Sequence, residues 1–299
     1  MLQSAVQNYA CHRKRAAALE KRNMDIRIVA DSCCDLTDEL RKELGVVTVP
    51  LTMTLGETPY SDDDMLNLPE FMEQMKACIS RIGSAAPNPA LYEEAFCGGE
   101  ESFAVTISSN LSGSYSNALL GKSLAEQRGA NVHVFDSKSA SAGEALLIMK
   151  LRRLIRDGLS RAEIVSRAEA FISGMRTLFV LDNIDNLLKN GRLNRIAGKL
   201  ISAFHIRPIL GSDGNGNISL FSHAQGWKQA LKKLVDAVEN SGRPTEGESL
   251  VIAHCGNPSF AEELRLAIET RCRFQEIVIL PTRGLSSVYA NEKGVIIAF

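Results

Sequence analysis

Short apolar runs alternate with amphipathic segments along the first half of the chain. Residues 25–30, 103–107 and 132–135 are rich in β-branched residues and phenylalanine, and a polar loop with a helical stretch follows each run. Residues 46–55 predict a further strand, and residues 68–82 place apolar side chains at the spacing of a helix. Strands that alternate with helices in this way predict an α/β domain built on a mainly parallel sheet.

Two sequence signals mark the starts of helices. Thr37 or Asp35 is suited to cap the first helix, because short polar side chains accept hydrogen bonds from the free N–H groups of a first turn. Ser259 and Glu262 have the spacing of a capping box, which predicts a helix over residues 259–271.

The pattern changes after about residue 173. Two strand-like runs, 206–210 and 218–221, are joined by a Gly- and Asn-rich segment that is typical of a β-hairpin. Helical segments follow, and further strands are predicted near residues 250–254, 276–280 and 294–299.

Together these patterns predict a two-domain α/β fold. The N-terminal domain, residues 24–172, is expected to be a three-layer α/β/α unit with a mainly parallel sheet. The C-terminal domain, residues 173–299, is expected to carry a mixed or antiparallel sheet. A chain of 299 residues buries a large core without needing a disulfide or a metal as a staple.

Composition and charge exclude several functional classes. The chain has 34 Lys and Arg against 35 Asp and Glu and no basic stripe with interleaved aromatic residues, which argues against nucleic-acid binding. Its longest apolar runs are far shorter than a membrane-spanning helix, so no integral membrane contact is expected. The seven cysteines are odd in number and lack CxxC spacing, which is typical of reduced residues in a cytoplasmic protein.

The first 23 residues differ from the rest of the chain. They hold five Lys and Arg and one Glu, so the remaining 29 basic and 34 acidic residues give positions 24–299 a net charge of −5. No apolar segment of a secretory signal follows the basic residues. We interpret residues 1–23 as a disordered or mis-started extension with Met24 as the natural start; an organelle transit peptide is the alternative.

Three loops rich in small polar residues follow predicted strands, at residues 31–35, 108–114 and 136–143. Such loops meet at the carboxyl ends of parallel strands, where helix N-termini present unpaired N–H groups. Each side chain alone could be a helix cap, but the four serines of residues 108–114 exceed what one cap needs. Hydroxyls and N–H groups suit a carboxylate ligand better than a polyphosphate, and no base for a nucleophilic serine is identifiable.

Sequence motifs for metals and cofactors are absent. There is no GxSxG, HExxH or GxGxxG pattern, and the five histidines lie far apart. The sequence therefore predicts no cofactor, no metal and no catalytic residues of its own.

Several segments stand in a distinctive order: ADSCCDL, SAAPNPALYEEAF, TISSNLSGSYSNA, VFDSKSASAG, LFVLDNIDNLLKNGRLNRIAGKLISAFHIRPIL and a glycine-containing apolar C-terminus. In this order they resemble the DegV family of bacterial fatty-acid-binding proteins over residues 25–299. The resemblance implies two α/β domains that enclose one long-chain fatty acid between them. It also implies the acyl-binding subunit of a fatty acid kinase, which presents the carboxylate to an ATP-binding subunit for acyl phosphate formation and then phospholipid synthesis.

The resemblance also assigns candidate ligand residues. The family's carboxylate-binding threonine falls on Ser84, which keeps the hydroxyl, and its serine falls on Ser108 or Ser109. Tyr289 replaces the family histidine near the head group; its hydroxyl donates to a carboxylate but carries no positive charge. The alternative for Tyr289 is a core aromatic residue.

The resemblance also implies a role for two family arginines in contacting the kinase subunit. One is kept as Arg192, a candidate docking residue whose alternative is a solvated turn residue. The other is replaced by Gln225, a change expected to affect kinase coupling and to leave lipid binding intact.

Two other functions stay open. A serine-dependent hydrolase or phosphotransferase acting on a small lipid-like substrate would need a base within hydrogen-bond reach of Ser108, Ser109 or Ser112. A carrier of a different lipid, such as an isoprenoid acid, is compatible with Tyr289.

Overall fold

A computed structural model describes residues 26–99, 101–193 and 206–299 of the chain. The extension proposed for residues 1–23 and the proposed start at Met24 lie outside these ranges. Within them, no helix has the length and apolar character needed to cross a membrane, and the six cysteines are free.

Strands and helices alternate along most of the described chain. The strands are β1 (Ile26–Asp31), β2 (Val46–Val49), β3 (Thr52–Leu55), β4 (Thr58–Ser61), β5 (Ile82–Ala85), β6 (Glu101–Thr106), β7 (Asn131–Asp136), β8 (Thr177–Val180), β9 (Ile206–Ser212), β10 (Ile218–Gln225), β11 (Ser249–His254), β12 (Glu276–Pro281) and β13 (Val295–Ala298). The helices are α1 (Asp38–Leu44), α2 (Leu68–Ala77), α3 (Pro89–Phe96), α4 (Ser114–Gln127), α5 (Ala142–Arg156), α6 (Arg161–Gly174), α7 (Asp185–Lys189), α8 (Trp227–Glu239), α9 (Pro258–Glu269) and α10 (Gly284–Ala290).

The first sheet confirms the predicted parallel domain. Its strand order is β2-β1-β6-β7, and each neighbouring pair is parallel. Successive strand residues point to opposite faces, so Val29 and Ala104 pack with α3 and α4 whereas Ile28 and Phe103 pack with α5 and α6. Helices therefore cover both faces, and the N-terminal domain has three layers.

A small antiparallel sheet with the order β4-β3-β5 extends the N-terminal domain. The single strand predicted over residues 46–55 is wrong. It is divided at Pro50, which lacks a backbone N–H, so β2 joins the first sheet and β3 joins the small one. The helix predicted to reach residue 82 ends at Ala77. The residues that follow form β5, which pairs with β3.

The second sheet is mixed, as predicted. Its order is β10-β9-β8-β13-β11-β12; β11 and β12 are parallel and every other pair is antiparallel. The Gly- and Asn-rich segment forms the predicted hairpin between β9 and β10. The first described strand of this sheet begins at Thr177, and the domain boundary at residue 173 stays a prediction.

Helix α5 lies between the two sheets. Eleven of its fifteen residues are buried, so it has no solvent-facing side of the usual width. It contacts β6 of the first sheet together with β11 and β13 of the second. Helices α8 and α9 cover the opposite face of the second sheet. The two domains therefore share one layer of their cores.

The predicted helix starts have different outcomes. Thr37 caps α1, and its side chain accepts the Leu40 N–H at 3.3 Å. Asp35 is buried in a left-handed conformation outside that helix. The capping box predicted at Ser259 is wrong. Helix α9 begins at Pro258, whose fixed φ favours the first helical position.

Candidate functional site

A cavity lies between the two domains, where the carboxyl ends of the first sheet face α10 and the strands β8 and β13. It encloses ≈ 860 Å³, counting the part that opens to solvent. Most of its wall is apolar and comes from both domains, including Leu51, Ile107, Leu111, Phe179, Leu181 and Leu285. A wall of this apolar character fits a ligand with a large apolar part.

Four polar residues of the cavity wall are here named the polar corner: Ser84, Ser112, Arg192 and Tyr289. The Ser84 Oγ and the Tyr289 hydroxyl oxygen are 2.8 Å apart and share a hydrogen bond. The Arg192 guanidinium lies 6.0 Å from the centre of the Tyr289 ring. Its Nε donates to the Leu111 carbonyl, beside Ser112, at 3.1 Å. The hydroxyls of Ser84 and Tyr289 and the Arg192 guanidinium thus lie close together in the cavity wall.

Two elements from different domains hold the Ser84–Tyr289 pair. Ser84 stands opposite Met53 in the small sheet, and Tyr289 lies in the last turn of α10. The buried Asn186 amide of α7 donates to the Val288 carbonyl at 2.7 Å and fixes the C-terminal end of α10. The structure therefore brings these two predicted residues together, while their role as carboxylate ligands stays a prediction.

The structure does not bring Ser108 and Ser109 to the polar corner. The buried Ser108 hydroxyl donates to the Gly216 carbonyl at 2.8 Å and joins the loop after β6 to the β9–β10 hairpin. The exposed Ser109 hydroxyl donates to Asp136 at 2.5 Å. Neither serine lines the cavity, whereas Ser112 of the same loop does.

A local turn explains why Ser112 takes this place. The N–H groups of Leu111 and Ser112 donate to the Ser108 carbonyl at 2.9 and 3.1 Å, which reverses the chain within the loop. The serine-rich loop is evident in the sequence, but which of its serines lines the cavity depends on this turn.

Asp136 acts as an anchor for two loops. Its carboxylate accepts the Ser109 hydroxyl and the N–H groups of Ser109 and Lys138, both at 3.1 Å. Aspartate side chains commonly hold turns through backbone N–H groups in this way. The pair of Ser109 and Asp136 is therefore explained by loop structure.

The cavity wall carries positive but no negative side chains among the described residues. Its two cations are Lys138 and Arg192. Gln225, at the end of β10, is exposed and lies outside the wall. This charge balance favours an anionic head group over a cationic one.

A buried acidic pair lies behind the cavity. The donor atoms of Asp31, Cys33 and Glu144 lie within 4.8 Å of one another. Asp31 already accepts the Ser114 hydroxyl at 2.5 Å and the Ile107 N–H at 3.0 Å, but both Glu144 oxygens are buried without a donor. Burial, with the neighbouring Asp31, raises the pKa of Glu144 well above its ordinary value.

The thiol of Cys33 is the one cysteine sulfur that the cavity wall includes among the described residues. Burial, assisted by the nearby carboxyl groups, raises its pKa well above the ordinary value. The thiol is therefore protonated at neutral pH and is not an activated nucleophile.

Comparison with known proteins gives a consistent result over nearly the whole chain. A family profile described as "Uncharacterised protein, DegV family" matches residues 25–299. A "DegV domain-containing protein" of Streptococcus gordonii is 35% identical over 280 residues, which cover 92% of this chain and 99% of the relative.

Solved structures agree with this chain in fold. A DegV family protein from Ruminococcus gnavus with vaccenic acid has a TM-score of 0.86 and 34% identity, covering 92% of this chain and 100% of the other. The Streptococcus pneumoniae Fatty Acid Kinase (Fak) B3 protein, loaded with linoleic acid, has a TM-score of 0.84 and 34% identity, covering 92% and 98%.

Proposed function

This chain belongs to the DegV family, and on that premise we propose that it binds one long-chain fatty acid in the cavity between its domains. It presents the carboxylate to a separate ATP-binding kinase subunit, which forms an acyl phosphate for phospholipid synthesis. The proposed location is the cytoplasm, where the cysteines that the structure describes stay free.

The observation that carries the proposal is an apolar cavity that ends in the polar corner. Burying an acyl chain gains about 0.8 kcal/mol per methylene, so roughly fourteen methylenes contribute about 11 kcal/mol before the losses of association. A few hydroxyls then suffice to orient the head group. Two relatives at 34% identity contain vaccenic and linoleic acid, which supports a ligand of this class.

The carboxylate is proposed to lie between Ser84 and Tyr289, with Ser112 as a third donor. The hydroxyls of Ser84 and Tyr289 bond to each other across 2.8 Å, and both rotate to donate to an incoming carboxylate. Hydrogen bonds from hydroxyl groups to an ionised acceptor are stronger than neutral ones, so this exchange favours an acid over an ester. Ser108 and Ser109 are proposed to support the loop and not to touch the ligand.

Arg192 is proposed to serve the contact with the kinase subunit. Its half-buried guanidinium is part of the polar corner, so it lies where a phosphate approaching the carboxylate would arrive.

We expect Arg192→Ala to keep fatty acid binding within about threefold and to lose most acyl phosphate formation, measured as ADP release with a fatty acid kinase ATP-binding subunit. Gln225→Arg, which restores the family's arginine, is expected to increase ADP release. Unchanged ADP release by both variants would contradict a docking role.

Native mass spectrometry and lipid extraction test the ligand directly. Protein purified from cells is expected to carry one long-chain acid per chain, and delipidated protein is expected to take up palmitate or oleate. Ser84→Ala should weaken uptake, and Ser109→Ala, in the same region but outside the cavity, should not. Protein that carries no fatty acid after purification and takes up neither palmitate nor oleate would contradict the proposal.

The alternative of a serine hydrolase or phosphotransferase has one observation in its favour. That function requires a base within hydrogen-bond reach of a serine, and Asp136 accepts a hydrogen bond from the Ser109 hydroxyl. The pair is exposed, however, and lies outside the cavity wall. Hydrolysis of p-nitrophenyl butyrate that disappears in Ser109→Ala would favour the alternative; we expect no such activity.

A further inference from the structure

The helix that carries Tyr289 is capped by side chains from the other domain. Asp62, in the loop before α2, accepts the Gly284 N–H at 2.9 Å with one carboxyl oxygen and the Leu285 N–H at 3.0 Å with the other. Asp35 accepts the preceding N–H, that of Arg283, at 2.6 Å. Three consecutive N–H groups at the start of α10 therefore donate to two aspartates of the N-terminal domain.

This capping replaces the one that a helix usually has. The N-terminal N–H groups of a helix need acceptors, which a Ser, Thr, Asp or Asn just before the helix normally supplies. The residue before α10 is Arg283, and its side chain makes no capping hydrogen bond. Asp35 and Asp62 are both buried, where a carboxyl group is unfavourable unless it is hydrogen-bonded. Their burial is consistent with a specific role in holding this helix.

Close packing also fixes the position of α10. A Cβ atom added at Gly284 would lie 2.7 Å from the Asp62 Oδ1 and 2.6 Å from the Met53 Cε. Real Cβ atoms essentially never approach so closely, so the helix start fits against Asp62 only because residue 284 is glycine. Leu285 packs in the same apolar cluster as Met53.

The capped end and the ligand end belong to one short rigid element. Helix α10 has seven residues, so Tyr289 lies about one and a half turns beyond the capped N–H groups of Arg283 and Gly284. The Tyr289 hydroxyl lies 2.8 Å from the Ser84 hydroxyl. A tilt of the helix at Gly284 would increase this distance. Such a tilt would leave the apolar wall from other elements in place.

We propose that Asp62, with Asp35, positions Tyr289 for the ligand carboxylate and thereby determines the preference for a free acid. This inference rests on the proposed function and adds a residue that does not itself touch the ligand. Asp62 acts through the backbone of α10. Because most of the apolar wall comes from other elements, its effect on the head group exceeds its effect on the acyl chain, which Leu285 of α10 also borders.

Isothermal titration calorimetry of the full chain with palmitate and with methyl palmitate tests the proposal. Asp62→Asn keeps one acceptor oxygen but turns an amide donor toward the second N–H group. We expect it to weaken palmitate binding about tenfold and methyl palmitate binding less than about twofold. Asp63→Asn is the matched control, because that half-buried neighbour bonds within its own loop, to the Met65 N–H.

A double-mutant cycle with Tyr289→Phe decides whether Asp62 acts through the tyrosine. In the Tyr289→Phe background, Asp62→Asn should change palmitate binding less than about twofold. Equal weakening of the acid and the ester, no weakening at all, or an undiminished loss in the Tyr289→Phe background would each overturn the proposal.

Two further outcomes are separable. If Asp62→Asn does not fold, Asp35→Asn, which alters the bonds to the Arg283 N–H and to the Ser286 side chain at this helix, enters the same cycle under the same criteria. If the native chain binds neither palmitate nor its ester, the proposed function fails, and that result is distinct from a loss caused by Asp62→Asn.

Discussion

Single side chains determine which head group the polar corner can bind. Ser84, Ser112 and Tyr289 offer hydroxyl groups, which donate to an anion without carrying charge. The nearby cation, Arg192, has its own carbonyl partners at Leu111 and Asn190. Binding at this corner therefore depends on hydroxyl geometry more than on net charge.

Tyr289→Phe isolates the contribution of one hydroxyl. The ring and its packing remain, so we expect palmitate to bind about tenfold more weakly and methyl palmitate to bind with nearly unchanged affinity, by calorimetry. Tyr115→Phe, on α4 and outside the cavity wall, is the control for removing a tyrosine hydroxyl. An equal loss for acid and ester would indicate damage to the cavity instead.

The buried Asp35 carboxyl should make stability depend on pH. Burial raises the pKa of Asp35 from 3.8 to about 7, against the opposing hydrogen bonds from Ser141 and the Arg283 N–H. The folded chain therefore holds this proton more tightly than the unfolded chain. The associated stability is complete below about pH 4 and is lost as the pH rises toward 7. Burial also raises the pKa of Asp31, Asp62 and Glu144, in the same direction.

We accordingly expect the thermal midpoint to fall by several degrees between pH 5 and pH 8, at about 1.4 kcal/mol per unit of pKa difference. Asp35→Asn should flatten this fall, and Asp63→Asn, a half-buried carboxyl in the loop before α2, should not. Scanning calorimetry at four pH values measures it. A midpoint that rises from pH 5 to pH 8 would contradict the assignment.

At the scale of elements, the β9–β10 hairpin connects the domains at its tip. The Ser108 hydroxyl donates to the Gly216 carbonyl, and the Asn110 amide donates to the Asn215 carbonyl, both at 2.8 Å. The Ser212 hydroxyl donates to the Lys138 carbonyl at 3.2 Å. We call these three hydrogen bonds the hairpin seam. Since Lys138 and Ser212 also line the cavity, the hairpin seam closes one side of the ligand space.

Two glycines of the hairpin give a matched pair of variants. Gly214 and Gly216 have φ of +90° and +89°, so alanine at either should destabilise the chain by about 1 kcal/mol. Only at Gly216 would the new Cβ meet Ser108, 2.2 Å from its Oγ; nothing lies within 4 Å at Gly214. We expect Gly216→Ala alone to release fatty acid several-fold faster to acceptor vesicles in stopped-flow measurements. Equal release rates would show that the hairpin seam does not retain the ligand.

The larger elements were predictable from the sequence, and the site elements were predictable only in part. Long periodic segments such as α8 and the hairpin of β9 and β10 follow from apolar spacing and turn residues. Strand β5 and helix α10, which carry Ser84 and Tyr289, are short and have mixed polarity, so their pattern indicates little. The two residues were found through family resemblance. Asp62 gave no signal, because its partners are backbone groups more than 200 positions away.

At the scale of the whole molecule, the shared position of α5 joins the two domains in stability. Its buried residues belong to one apolar cluster with Phe103 of the first sheet and Val251 and Ile296 of the second. Unfolding either sheet would expose α5 to water, which is unfavourable at about 25 cal/mol per Å² of apolar surface.

We therefore expect one cooperative unfolding transition in spite of the two domains. Calorimetric and van't Hoff enthalpies should agree for the delipidated chain, and palmitate at about 100 times its Kd should add about 2.7 kcal/mol without splitting the transition. Two resolved peaks, or a ligand effect on only one of them, would contradict this view.

Because α5 is buried on both sides, the two domains of this chain are poorly suited to separate during evolution. A unit that packs its own apolar faces can be duplicated, exchanged or fused elsewhere as an independent module. Here a fragment ending after α6 would present a wide apolar flank, and the complementary fragment would lack the surface that covers its central strands. Neither domain is therefore expected to fold alone, and we expect gene duplication or fusion to preserve the two domains together.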